Sequence, residues 1–284
     1  MGLIDYIRLT SPGITLLVSL TGFIGMWIAS RGTVTSLSLF LWGVLGVGLA
    51  SAGSSVFNNY YDRDIDSLMG RTSRRPLPSR KIRPGNALVF GTGLSAVAVV
   101  ILAICVNLTA AFLAILAIVI YAFLYTVVLK RRSPLATEIG GISGALPPVI
   151  GWSAVRGGID IEALILFGIM FLWQPPHFWS LASRYRDDYK RAGIPTMPVV
   201  SSKDETTMRS LTYIVSLLVV SLLPYLIGMF GELYLFISIT LGIIYLSLYL
   251  MTLLSKRDLN SPLFIYSIIY LSLLFLCMVV DIRG

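Results

Sequence analysis

Nine apolar blocks follow one another along the chain, separated by short polar stretches. They cover residues 14–30, 36–60, 86–107, 109–129, 137–155, 161–184, 208–230, 232–254 and 262–281. A helix that crosses a bilayer needs roughly 17–25 predominantly apolar residues, and each block is of that order. The pattern therefore predicts an all-α membrane protein with nine transmembrane helices. Asn107 and Thr109 leave almost no chain between the third and fourth blocks, so these form a tight hairpin, and Gly231 does the same for the seventh and eighth. Residues 2–11 read as a short interfacial segment ending at Pro12. They lack the basic leader and small-residue cleavage site of a signal peptide.

Composition agrees with the blocks. Apolar residues make up 56% of the chain and charged residues 13%, against about a quarter charged in soluble domains. Charge also gives the orientation. With the N-terminus placed in the cytoplasm, 19 of the 22 Lys and Arg residues fall in the N-terminal segment and the even-to-odd loops, Lys256 and Arg257 among them. Only Arg31, Arg156 and Arg283 remain for the other face. Basic residues near spanning segments stay inside, so the expected protein is multi-pass in the cell membrane, with its C-terminus outside. Loop charge accounts for much of the net +8, and nothing in it calls for nucleic acid. Cys105 and Cys277 both lie in apolar blocks without CxxC spacing, and are read as buried, inert thiols.

Orientation alone does not explain the cluster after the second block. There the chain reads Asn58-Asn59-Tyr60-Tyr61-Asp62-Arg63-Asp64-Ile65-Asp66. Asn58, Asp62 and Asp66 are each four apart, so a continuing helix stacks them on one face. Oxygen ligands one turn apart suit a hard cation, and magnesium favours one or two carboxylates plus phosphate oxygens. Asp64 points to the other side, toward Arg63 or another basic neighbour. Arg71, Arg74 and Arg75 follow at once. Arginine forks match phosphate oxygens, so carboxylates beside arginines suggest a metal-bridged polyphosphate.

The sixth block echoes this arrangement. It ends in Trp173-Gln174-Pro175-Pro176-His177-Phe178-Trp179 and is followed by Asp187 and Asp188. Acidic clusters after the second and sixth helices suggest two four-helix halves plus a final helix, in a single membrane domain, with the clusters facing each other across a central cavity open to the cytoplasm. Pro175 and Pro176 are expected to kink or break the sixth helix, which is tolerated where backbone lines a cavity. His177, the only histidine, lies just past them. An ionisable group inside a spanning helix marks function by default, as base or as axial haem ligand. The small-residue tract 138–151 serves either close helix packing or clearance for a flat ligand. Tyr60, Tyr61, Tyr121, Tyr125, Phe178 and Trp179 are aromatic candidates for facing a carbocation.

Residues 58–81 resemble the first aspartate motif of the UbiA-type intramembrane prenyltransferases. Residues 125–134 (YTVVLKRRSP), 139–152 (IGGISGALPPVIGW) and 171–198, with WQPPHFW and DYKRAGIPTMP, resemble the haem-farnesylating branch of that family. The resemblance implies nine helices around a central cavity, Mg2+ dependence, farnesyl diphosphate as donor and haem B as acceptor. It implies catalytic roles for Asp62, Asp66 and His177, and metal binding by Asn58, Asp62, Asp66, Asp187 and Asp188. It further implies diphosphate binding by Arg71, Arg74, Arg75, Lys130 and Arg131, haem contact by His177 and Trp173, and oxidase-assembly proteins as partners. Many relatives carry a second motif with two aspartates four apart; here Asp187 and Asp188 are adjacent. Two rival readings remain, a family member with an aromatic, quinone-precursor or glycerophosphate acceptor, and a haem-handling transporter with broken helices around a polar site.

Overall fold

The computed structural model describes residues 2–255 and 259–283, with Ser255 as backbone only; Lys256 and Arg257 lie outside the described residues. Among these, every long element is a helix. A short helix α1 (Leu3–Leu9) precedes α2 (Pro12–Ala29) and α3 (Leu37–Tyr61). After the short α4 (Arg63–Leu68) and a long loop come α5 (Pro84–Cys105) and α6 (Leu108–Ile118), which continues as a π-helical stretch over Val119–Leu129. The second half holds α7 (Ala136–Arg156), α8 (Ile161–Arg184), the short α9 (Arg186–Arg191) and α10 (Met197–Val200), then α11 (Lys203–Leu226), α12 (Glu232–Ser255) and α13 (Asn260–Val280).

Eight of the described helices are long and apolar enough to cross a membrane. The ninth block, 137–155, also forms a 21-residue helix, α7, but its Gly, Ser and Pro content leaves it less apolar than the others. Its surroundings explain why. Residues 145–154 of α7 are all buried, packed on α2, α6 and α8 rather than facing lipid. Two glycine seats set the α2–α7 crossing. A Cβ at Gly151 would stand 1.9 Å from the Gly22 carbonyl oxygen, and one at Gly25 2.1 Å from that of Pro148. Close backbone approach through small residues is how helices pack where lipid removes the hydrophobic drive between them.

The tract 138–151 therefore serves packing. Gly140 makes room for the Tyr125 ring and Gly144 for the Gln174 amide. The prolines of α8 do not break it: the helix runs unbroken through Pro175 and Pro176 to Arg184, so His177 sits within a turn of regular helix. Asn107 closes the tight hairpin as the α6 N-cap, accepting from the Ala110 N–H at 2.8 Å and donating from Nδ2 to the Ser153 carbonyl at 2.8 Å. Helix α1 rests on α3, where Asn59 Nδ2 donates to the Leu9 carbonyl at 3.2 Å, and it turns Leu3, Ile4 and Ile7 outward. Of the two free cysteines Cys277 is buried, but Cys105, in the last residue of α5, is exposed. The period of an apolar block does not say which side meets lipid.

Candidate active site

The backbone between α3 and α4 turns at one residue, Asp62 (φ −89°, ψ 0°), and resumes helically at Arg63. The Asp66 N–H still donates to the Asp62 carbonyl, at 2.7 Å, so the fourfold stacking of Asn58, Asp62 and Asp66 survives the interruption. All three are buried, Asp62 completely. Asp62 Oδ2 accepts from Asn58 Nδ2 at 2.8 Å and pairs with Lys130 Nζ. Its Oδ1 is buried with no partner. Asp66 Oδ2 pairs with Arg75 Nη1 at 2.8 Å. Burial nevertheless pushes the Asp66 carboxyl up, outweighing the pull of Arg75.

Asp64 faces the other way, as its register requires, and its partner is Arg131. The guanidinium grips both carboxylate oxygens, at 2.6 and 2.7 Å, and donates to the Tyr61 carbonyl at 2.7 Å. The Arg131 hydrogen bond holds the Asp64 carboxyl below its usual range, and Asp64 in turn raises Arg131. Arg131, expected at the diphosphate, is thus engaged on the outer side of α4. Arg63 instead folds over the Tyr60 ring.

Lys130 is delivered by the π-helical stretch. Its wider turn closes bonds five residues apart, as in Lys130 N–H to the Tyr125 carbonyl at 2.8 Å. Residues four and five apart then share a face: Tyr121 and Tyr125 stack with ring centroids 5.5 Å apart, and Lys130 Nζ lies 5.8 Å from the Tyr125 centroid. Thr126, on the same face, accepts from Asn58 Nδ2 at 3.3 Å and donates to the Tyr121 carbonyl at 2.8 Å. Thr126 was missed by sequence reasoning. No residue pattern in 119–129 announces the change of winding.

The second acidic segment comes to the first. Ile65 and Met69 pack with Ala182, Tyr189 and Ile194 in one apolar cluster, bordered by Phe178 and Tyr185. Arg71 stands 5.9 Å from the Tyr185 ring centroid. A Cβ at Gly70 would meet Asp188 Oδ2 at 3.7 Å, which places that carboxylate against the first segment. Asp188 is part-buried and paired with Arg191, whereas Asp187 is exposed. Arg71 and Arg74 are exposed at the same end. Among the described residues no three His, Cys, Asp or Glu side chains gather as a ready metal cage. Of the acidic side chains expected here, Asp62 and Asp66 are buried and Asp188 part-buried, and the Asp62 Oδ1 is buried without a partner.

His177 faces α13. Its ring stacks between Trp173, at 4.3 Å, and Phe264, at 4.9 Å, and Nδ1 lies 2.6 Å from Ser267 Oγ. Ser267 Oγ also lies 2.6 Å from the Phe264 carbonyl oxygen, so the serine hydroxyl bridges the imidazole and the α13 backbone, with the direction of the Nδ1 bond following the histidine tautomer. Trp173 Nε1 donates to the Ser267 carbonyl at 2.8 Å. Trp179 is fully buried, its ring edge-to-face with Tyr213 of α11. If Ser267 fixes the ring, Ser267→Ala is expected to shift the pH dependence of any His177-dependent step while Ser267→Thr restores it. A pH–rate profile of the three proteins checks this.

A bundle of long apolar helices with two buried carboxylates at one end, each paired with a basic side chain, defines a polytopic membrane protein. The family model described as the UbiA prenyltransferase family matches residues 18–275, and the chain belongs to that family. It is 50% identical over 277 residues to a protoheme IX farnesyltransferase of Aquifex aeolicus (strain VF5), covering 98% of this chain and 94% of that protein. It is 45% identical to one of Rickettsia akari (strain Hartford), covering 96% and 89%. A digeranylgeranylglyceryl phosphate synthase structure shares the fold with TM-score 0.84 at 22% identity, covering 98% of both chains. A UbiA homolog from Archaeoglobus fulgidus bound to DMAPP and Mg2+ does so with TM-score 0.68 at 18% identity, covering 96% and 99%.

Proposed function

We propose that this protein transfers a farnesyl group from farnesyl diphosphate to a vinyl group of haem B, giving haem O and diphosphate. The reading is carried by buried Asp62 with its unpartnered Oδ1, in a chain half identical, nearly end to end, to a protein named for that reaction. Asp62 and Asp66 are the residues that would hold Mg2+, with Asp188, whose Oδ2 lies near Gly70, as the nearest carboxylate of the second segment to that loop. When bound, Mg2+ supplies positive charge to the diphosphate as it leaves.

The chain's own groups do the rest. Asn58 fixes the Asp62 carboxylate by one hydrogen bond. Lys130 and Arg75 lie at the buried carboxylates and Arg71 and Arg74 at the exposed rim, where they receive phosphate oxygens and stabilise the charge that develops on them. The C1–O bond breaks with its electron pair going to diphosphate, and the terminal vinyl carbon bonds to C1. Water adds at the inner vinyl carbon and a proton is released, completing a hydroxyethylfarnesyl side chain. Stacked Tyr121 and Tyr125 line the approach below Lys130, and their faces favour an allylic cation. His177 is the residue for haem, as iron ligand or as base, and Trp173 beside it contributes its flat ring.

The crowding of Lys and Arg in the loops at this end supports a reading in which it faces the cytoplasm, with the N-terminus inside and the C-terminus outside. Membranes containing the protein, given haem B and labelled farnesyl diphosphate, should yield a porphyrin heavier by one farnesyl and one hydroxyl group in mass analysis. Label appearing in a quinone precursor or a glycerophosphate and never in the porphyrin would reject the acceptor.

A further inference from the structure

Asp62 and Asp66 are buried, and a buried carboxylate without a counter-charge is costly. The protein provides that charge itself. Lys130 occupies Asp62 Oδ2 and Arg75 occupies Asp66 Oδ2. Two carboxylates and two cations leave this inner site with no net charge. The same lysine and arginine are among the basic groups at the end of the bundle where the diphosphate is proposed to bind.

We infer that Lys130 and Arg75 are resident counter-ions, which the site exchanges in one event: the carboxylates pass to a divalent cation as the lysine and arginine pass to the diphosphate. This rests on the proposed function, since it concerns that site. Its consequence is that neither ligand binds well alone. A divalent cation without diphosphate must share the carboxylates with two protein cations that have no other anion to go to. A diphosphate without metal must draw Lys130 and Arg75 off buried carboxylates, leaving these bare. Together, each ligand takes the groups the other releases, and no charge is stranded.

The π-helical stretch and the Asp64–Arg131 fork are suited to this exchange. Arg131 anchors the chain next to Lys130 onto α4 through Asp64 and the Tyr61 carbonyl. Lys130 alone, whose side chain is part-buried and flexible, then needs to swing, while its backbone stays tied to Tyr125. Arg75 lies on the loop after α4, where its side chain is about a third exposed, against nearly none for Asp66.

The test is calorimetry on the full-length protein in nanodiscs, with Mn2+ and inorganic diphosphate as probes, separately and together. In the wild type each probe is expected to bind at least tenfold more tightly when the other is present, by the same factor in either order, as linkage requires. In Lys130→Met, Mn2+ alone should bind more tightly than to the wild type, and the coupling factor should fall toward one. Lys130→Arg keeps the charge and should keep the coupling, which guards against a merely misfolded methionine variant. Tight Mn2+ binding to the wild type without diphosphate, or unchanged coupling in Lys130→Met with normal elution on gel filtration, overturns the inference while leaving farnesyl transfer intact. Failure of the functional reading looks different: neither probe binds in any combination and no farnesyl diphosphate is consumed, and both ideas fall.

Discussion

Asp62→Asn should lower farnesyl transfer by on the order of 10³-fold or more, the scale seen when one preorganised electrostatic group is removed from a site of charge development. The substitution keeps the shape, and Asn58 retains an oxygen to donate to, so the helices should stay in place. What is lost is the negative charge on a fully buried group whose Oδ1 has no other partner. Asp66→Asn should follow closely, because Asp66 is nearly as buried and lies one turn on. Asp64→Asn makes the informative comparison. It lies between the other two in sequence and its carboxylate carries a tight arginine fork, yet it faces outward and is exposed. Exposed ion pairs contribute little, so its turnover should fall less than tenfold. Initial rates with haem B and labelled farnesyl diphosphate rank the three. A ranking with Asp64 at or above Asp62 would sink the assignment of the inner face.

How much of this was legible beforehand differs by level. The helices were, because a spanning helix has to be apolar along its whole length and the blocks show it. The stacking of Asn58, Asp62 and Asp66 was too, since it follows from a spacing of four, and the turn at Asp62 does not disturb it. Partners across the bundle were not legible. Asp64 takes Arg131, 67 residues away, rather than Arg63 beside it, and Lys130 reaches Asp62 because 11 residues wind as π-helix. Adjacent Asp187 and Asp188 looked equivalent in sequence; in the fold Asp188 is part-buried with its Oδ2 near Gly70, and Asp187 is exposed. Pro175 and Pro176 misled in the opposite direction. A proline removes one donor and crowds one turn, but the surrounding helices hold α8 continuous through both.

Gly151→Ala and Gly25→Ala should be the most damaging single-methyl additions in the chain. The Cβ of either would fall about 2 Å from a carbonyl oxygen of the partner helix, and backbone has no rotamer through which to yield. The helices must part, at or above the roughly 1–3 kcal/mol typical of an overpacked core. In a bilayer that loss is not offset by hydrophobic burial elsewhere, because lipid solvates the separated helices as well as they solvate each other. Gly93→Ala, in α5, is the control: a Cβ there meets nothing within 4 Å, and alanine is the better helix former by about 1 kcal/mol. Thermal unfolding in detergent should place Gly93→Ala at or above the wild type and both α2–α7 variants well below it. The effect should reach catalysis as well. Helix α7 carries Gly140, against which Tyr125 is seated, and Tyr125 lies on the turn that presents Lys130 to Asp62. Displacing α7 therefore loosens the lysine's grip on the buried carboxylate. In whatever fraction of Gly151→Ala remains folded, the dependence of Mn2+ binding on diphosphate should weaken, as in Lys130→Met. A Gly151→Ala protein that unfolds early but keeps full coupling would show that the π-helical stretch holds its winding without α7.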